Sequence, residues 1–182
     1  MSGKFLTTVV GSMPKRPWLF GEDRVPGIGT RGQGWELRWS NEGAALRQAQ
    51  DDATRLAIRD QENAGVDIIS DGEQRRRYYI TYVIEGFEGL DFENLAEKVV
   101  RSGNTYDVGR CVGPVKHTKP LLDKDLRFLM AETERPVKMT LPGPVTVVDS
   151  LVDEHYGDER ELGLAVADAL NKEARALDAL GP

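Results

Sequence analysis

Asp71-Gly72-Glu73 places two carboxylates one glycine apart, directly after the apolar run Val66-Asp67-Ile68-Ile69-Ser70. That run reads as a short buried strand, so both acids would stand at a strand end. Carboxylates in that position can hold a substrate ammonium or exchange protons with a ligand. They can equally favour a helix N-terminus or pair with the neighbouring Arg75, Arg76 and Arg77. A second signal is Gly11-Ser12-Met13-Pro14, which closes the strand-like Phe5-Leu6-Thr7-Thr8-Val9-Val10. A serine hydroxyl with free backbone N–H groups can bind a carboxylate, although Gly-Ser-x-Pro is also ordinary turn chemistry. The third is Leu141-Pro142-Gly143-Pro144-Val145-Thr146, a rigid turn in which Thr146 offers a cap or a ligand contact.

Other candidates fall away on spacing. Cys111, His117 and His155 lack the intervals of a metal site, and both histidines read as surface residues. Gly27-Ile28-Gly29-Thr30-Arg31-Gly32 matches a dinucleotide fingerprint only in part and follows no strand. With 24 Lys+Arg against 30 Asp+Glu the net charge is −6, which argues against a generic nucleic-acid binder. One cysteine cannot make a disulfide framework. No apolar run approaches the ~18 residues of a membrane helix, and no basic start precedes an apolar leader. The expectation is a soluble, cytoplasmic α/β protein without membrane or nucleic-acid partners, its 40% hydrophobic content sufficient for a core.

The elements that must position these residues alternate. Phe5–Val10 reads as a strand buried on both faces, followed by a Gly- and Arg-rich loop to about Ser40. Glu42 to Ala64 has helical spacing at Leu46, Ala49, Ala53 and Leu56, with Gly65 as terminator. After the strand at Val66–Ser70 and a basic, aromatic stretch (Arg75 to Tyr82), Gly86 to Ser102 carries no clear pattern, and Tyr106 to Val115 reads as a strand. Leu121 to Glu132 predicts a helix, Val137 to Leu141 a strand, and Pro144 to Val152 a short helix. Asp158 with Glu161 starts a last helix whose apolar face is Leu162, Ala165, Val166, Ala169, Leu170, Leu177 and Leu180, with Gly181 as its C′ residue. Such alternation means βα units around a parallel sheet, about four of them over a single domain, 1–182. A whole eightfold barrel takes ~250 residues, so the pattern is the first half of a TIM (β/α)8 barrel. Its open edges would need a complementary half-barrel chain or a second copy. A self-contained flavodoxin-like domain fits less well, because its first βα loop is short.

In this order and at this spacing, Thr7-Thr8-Val9-Val10-Gly11-Ser12-Met13-Pro14, Asp71-Gly72-Glu73-Gln74-Arg75-Arg76 and Leu141-Pro142-Gly143-Pro144-Val145-Thr146 resemble the catalytic barrel of cobalamin-independent methionine synthases in its short form. Zinc-dependent epoxyalkane–coenzyme M transferases are relatives of that form. The resemblance implies a barrel of the methionine synthase/uroporphyrinogen decarboxylase-like type, in which zinc activates a thiol for attack on a methyl or alkyl donor. It implies that Ser12 with the Gly11 turn binds the carboxylate of homocysteine, that Glu73 beside Asp71 holds the amino group, and that Thr146 borders the donor. The family's zinc ligands lie in the other half of the barrel, so zinc would come from outside this chain, and the isolated chain should be inactive. Two further departures are Arg77-Tyr78-Tyr79 in place of a common Asp-Met pair, and Ser150 where folate users carry a stacking tryptophan. The rivals are a metal-independent decarboxylase or lyase of the uroporphyrinogen decarboxylase type, with Arg16, Arg24 and Arg31 as carboxylate binders, and a non-catalytic binding or assembly subunit.

Overall fold

The computed structural model describes residues 5–26, 29–30, 35–100 and 103–181, with side chains described outside 21–38. After a 3-10 turn at Pro17–Leu19 come strands β1 (Phe20–Pro26), β2 (Gly29–Thr30) and β3 (Trp35–Trp39), then helices α1 (Gly43–Asn63) and α2 (Thr81–Ile84). Strands β4 (Glu88–Val99) and β5 (Thr105–Lys116) follow, then α3 (Asp123–Glu132), α4 (Pro144–Asp149), β6 (Leu151–Asp153) and α5 (Glu159–Asp178).

Three extended segments form the parallel centre. Thr8 bridges Ile68, and Ile69 bridges Val137, both in parallel. The Ile68 amide donates to the Thr7 carbonyl at 3.0 Å, and the Lys138 amide donates to the Ile69 carbonyl at 2.9 Å. With α1, α3 and α5 these segments make three βα units of a half-barrel. Tyr106–Val115, expected as part of the parallel repeat, is instead an arm of the antiparallel β4–β5 hairpin. The patternless stretch before it is β4, whose alternation is broken by register shifts between Glu88 and Leu90 and between Asp91 and Ala96. The expected loop up to Ser40 contains the antiparallel pair β1–β3, closed by Phe20 stacked on Trp39 at 4.6 Å. The short helix expected to reach Val152 stops at Asp149, because Leu151–Asp153 leaves it to pair in parallel with Gly109–Cys111 of β5. No described helix is long and apolar enough to cross a membrane.

The long helices end where their signals stand. Asp158 Oδ1 accepts the amides of Arg160 at 2.7 Å and Glu161 at 3.0 Å, a cap worth ~1 kcal/mol. Leu162, Val166, Ala169, Leu170 and Leu177 of α5 are buried as expected. In α1 the buried stripe is Ala53, Thr54, Ala57, Ile58 and Gln61, while Leu56 is left exposed. The stripe is rotated because Gln61 pairs with the strand end. Its amide nitrogen donates to the Ser70 carbonyl at 2.8 Å, and its oxygen accepts the Ser70 amide at 3.0 Å. His117 is not a surface residue: it packs inside, with Nε2 2.6 Å from the fully buried Glu173. Glu173 also accepts the amides of Leu121 at 3.0 Å and Leu122 at 2.8 Å, the free donors ahead of α3.

The first segment departs from its expected burial. Phe5, Leu6 and Val10 are 93%, 70% and 89% exposed. Ile68 lines one side of this segment, and no described element covers the other. Burial of a barrel strand depends on both neighbours, and here one is missing from the described residues.

Candidate functional site

Three chain segments converge where the central extended segments end. After Ser70 the chain reverses through two successive left-handed residues, Gly72 (φ +61°) and Glu73 (φ +55°). A Cβ on Gly72 would lie 3.0 Å from Ala57 Cβ and 3.3 Å from Met13, so α1 and the first segment both press on this turn. Glu73 is the one non-glycine residue at positive φ among the described residues, a conformation that costs ~1–2 kcal/mol for an L-residue. It is held there by the Asp71 carboxylate, whose Oδ1 accepts the Glu73 amide at 2.9 Å, an Asx-type bond.

The Glu73 carboxylate receives two hydroxyls from the neighbouring segments. Ser12 Oγ donates to one oxygen, and Thr140 Oγ1 donates to the other at 3.0 Å. The Lys15 ammonium donates to the Glu73 carbonyl. The Met13 amide binds the Gly72 carbonyl at 3.1 Å, and the Gln74 side-chain amide spans Met13 and Gly72 at 3.2 and 3.0 Å. Asp71, Glu73 and Arg76 are buried, whereas Gly11 (φ +85°) and Ser12 are exposed, which leaves the cluster open on that side. Asp71 Oδ2 has no hydrogen-bond partner among the described residues. Arg76 Nη2 lies 3.9 Å from it. Burial brings the Lys15 pKa down to about 8, opposed by the charges of Asp71 and Glu73 and reinforced by Arg76. Two buried carboxylates beside an open turn are suited to a ligand ammonium.

The structure places Ser12, Asp71 and Glu73 together, with Gly11 next to Ser12 in the chain, and it adds Lys15, Arg76 and Thr140. Thr146 is not bonded to this cluster. It lies inside α4, whose N-cap is Gly143, and not at the cap. It lines a cavity of about 230 Å³ with Tyr78, Tyr79, Tyr106, Asp149 and Ser150. Ser150 Oγ donates to the Thr146 carbonyl at 2.9 Å, and the rings of Tyr78 and Tyr79 are 6.3 Å apart. Aromatic surface thus enters this cavity from a different element than the turn after α4.

The neighbouring charges are paired structurally. Arg75 bonds Asp51 at 2.6 Å and Asp125 at 3.4 Å, with its guanidinium 4.6 Å from the Phe128 ring. Tyr82 donates to Asp125 at 2.8 Å, and burial raises both of their pKa values. Of the arginines proposed for a decarboxylase, Arg16 is paired with Asp60. Arg31 and the side chain of Arg24 lie outside the described residues, as does much of the Gly27–Gly32 segment.

The donors that zinc would need are committed elsewhere. The Cys111 thiol is buried against the Gly113 carbonyl at 3.4 Å, and burial pushes its pKa up. His117 is held by Glu173, and His155 lies edge-on to Tyr156 at 4.8 Å. Among the described residues no group of three His, Cys, Asp or Glu could hold a metal ion. The described residues do not fit a zinc centre.

Residues 5–182 match the family model described as the catalytic domain of cobalamin-independent synthases. The methionine synthase of Sulfurisphaera tokodaii is 31% identical over 173 residues, covering 94% of this chain and 47% of that protein. The methionine synthase of Thermococcus kodakarensis is 29% identical over 177 residues, covering 96% of this chain and 49% of that protein. The solved structure of a B12-independent methionine synthase from Shewanella sp. W3-18-1, in complex with selenomethionine, superposes with a TM-score of 0.82 at 37% identity, covering 96% of this chain and 48% of that one. A likeness to a protein from Listeria monocytogenes (TM-score 0.62, 20% identity) concerns the fold alone. The chain spans about half the length of the curated relatives it matches.

Proposed function

Since the chain belongs to the cobalamin-independent synthase catalytic-domain family, we propose that it is the amino-acid-binding half of a barrel that transfers a methyl or other alkyl group to a thiol such as homocysteine. The observation that carries this reading is the Glu73 carboxylate, held by Ser12 and Thr140 hydroxyls at the convergence of three segments. With the unsatisfied Asp71 Oδ2 beside it, it forms an acceptor for the substrate's ammonium group. Selenomethionine in the similar Shewanella protein supports the same ligand class here. In the reaction, the substrate S–H gives its proton to solvent water, sulfur forms the new S–C bond, and the donor's C–X bond breaks with its electron pair leaving on X. The Thr146 cavity with its tyrosines would face the donor side.

Thiol activation by zinc, which the family resemblance implies, would need ligands beyond the described residues. They would arrive with a complementary half-barrel, and the uncovered Phe5, Leu6 and Val10 provide an apolar edge for it to cover. A second copy of this chain is the other possible occupant of that edge.

The test is binding of L-methionine by calorimetry, with Glu73→Gln alongside. Loss of a charged hydrogen bond to the ammonium, worth ~1.5–3 kcal/mol, predicts about a tenfold or greater loss of affinity. Equal affinity for the wild type and Glu73→Gln would overturn the reading. The chain alone should not alkylate homocysteine; turnover without a second half would remove the need for one.

A further inference from the structure

We propose that Lys15 is a positioning residue for Glu73: by holding the Glu73 carbonyl it fixes the left-handed turn that presents the Glu73 carboxylate to the substrate's ammonium group. This assignment rests on the functional reading above, in which Glu73 accepts that ammonium.

Glu73 has φ +55°, which a non-glycine residue keeps only where its surroundings impose it. Released, it would relax to a right-handed or extended backbone, and its carboxylate would leave the Ser12 and Thr140 hydroxyls. Its amide is restrained by Asp71 Oδ1 at 2.9 Å. Its carbonyl accepts the Arg76 amide at 3.1 Å, but that bond lies within the turn and moves with it. The Lys15 ammonium donates to the same carbonyl from the first segment. Beside it, the Met13 amide donates to the Gly72 carbonyl, and the Gln74 side chain donates to the Met13 carbonyl. Of these three ties between segments, only the lysine's falls on the Glu73 backbone.

The place of the charge matters as much. Lys15 sits on the peptide carbonyl, while the two carboxylate oxygens accept the neutral hydroxyls of Ser12 and Thr140. A cation bonded to the carboxylate would occupy the ligand's place. On the carbonyl it holds the acid and leaves the negative charge available. Burial disfavours that ammonium and brings its pKa to about 8, and the charged groups around it are Asp71, Glu73 and Arg76. Charge and position therefore predict opposite signs. By charge alone, removing a cation beside Asp71 and Glu73 should tighten the binding of another cation. Removing the support of Glu73 should weaken it.

The experiment titrates the purified protein, together with any chain that accompanies it, with L-methionine and with its α-hydroxy analogue, which carries a hydroxyl in place of the ammonium. Wild type should prefer methionine. Lys15→Met should weaken methionine by about tenfold, the scale of one hydrogen bond to a charged group, and leave the analogue within about twofold. Lys15→Arg should restore most of the preference. Lys15→Gln, which keeps an uncharged donor, should lie between, and it carries the comparison if Lys15→Met fails to fold. In a Glu73→Gln background, Lys15→Met should add less than about twofold, because its effect passes through that carboxylate. Methionine affinity that is unchanged or tightened in the lysine variants overturns the assignment, and so does an equal loss for both ligands. Either result leaves the functional reading standing as long as Glu73→Gln still weakens methionine. A wild type that binds the two ligands equally, or binds neither, removes the functional reading and this assignment with it.

Discussion

Glu73 and Thr140 are 67 residues apart in sequence, yet the threonine hydroxyl donates to the glutamate carboxylate at 3.0 Å. The contact joins the end of the second central segment to the end of the third, and Ser12 joins the first to the second. A carboxylate that would otherwise be costly to bury is thereby solvated by the fold. The site exists only when three segments are in register.

Removing these hydroxyls should be felt twice. Ser12→Ala and Thr140→Val are each expected to cost ~1–2 kcal/mol in urea unfolding, because each leaves a buried carboxylate oxygen short of a donor. Since they share one acceptor group, the double variant should depart from additivity by ~0.5 kcal/mol or more. Thr140→Ser, which keeps the donor, should lose much less.

Glu173 is fully buried and accepts two backbone amides as well as His117. Glu173→Ala should therefore destabilise the fold by about 3 kcal/mol or more, with several buried donors left unmatched at once. Glu173→Gln retains an acceptor oxygen and should cost less. Denaturant midpoints for the two variants check the order.

Lys15 predicts a slope in stability against pH. Its pKa is about 8 in the folded chain against an ordinary 10.5, so the unfolded state binds more protons between those values. Stability must then rise with pH across that window, the penalty on the buried ammonium being full below about 8 and gone above 10.5. Comparing melting temperatures of wild type and Lys15→Met from pH 7.5 to 10 isolates this contribution, which the variant should lack.

In the hairpin, Gly89 has φ +87°, and a Cβ there would lie 2.4 Å from the Pro114 carbonyl oxygen. Gly89→Ala combines left-handed strain with a backbone clash, and should cost ~2 kcal/mol or more. The β4–β5 amides should lose hydrogen-exchange protection before those of α1.

The helices were legible because their signals are local. Gly65 ends α1, Asp158 and Glu161 start α5, and the apolar face of α5 repeats at helical spacing over 20 residues. The extended segments were found by their β-branched runs, but their burial was not, since it is set by neighbours distant in sequence; exposed Phe5 and Leu6 are the result. Strand β6 is only 3 residues long and pairs with a partner some 40 residues earlier, so nothing nearby announced it. At the site, strand-end position identified Ser12, Asp71 and Glu73. Thr140 was not legible because nothing local tells which of two threonines flanking a Pro-Gly-Pro turn faces the acid. Lys15 was hidden because a lysine in a loop looks solvated until its neighbours are known.

Lys98, on β4, donates to the Val148 carbonyl at 2.8 Å and to the Leu151 carbonyl at 2.6 Å, clasping the exit of α4 with a cation where its dipole is negative. The hairpin is thereby bolted to the short helix that carries Thr146. Lys98 is the penultimate residue of its strand, so the anchor lies beside the hairpin turn, and a spectroscopic label on β4 would register any shift of the short helix.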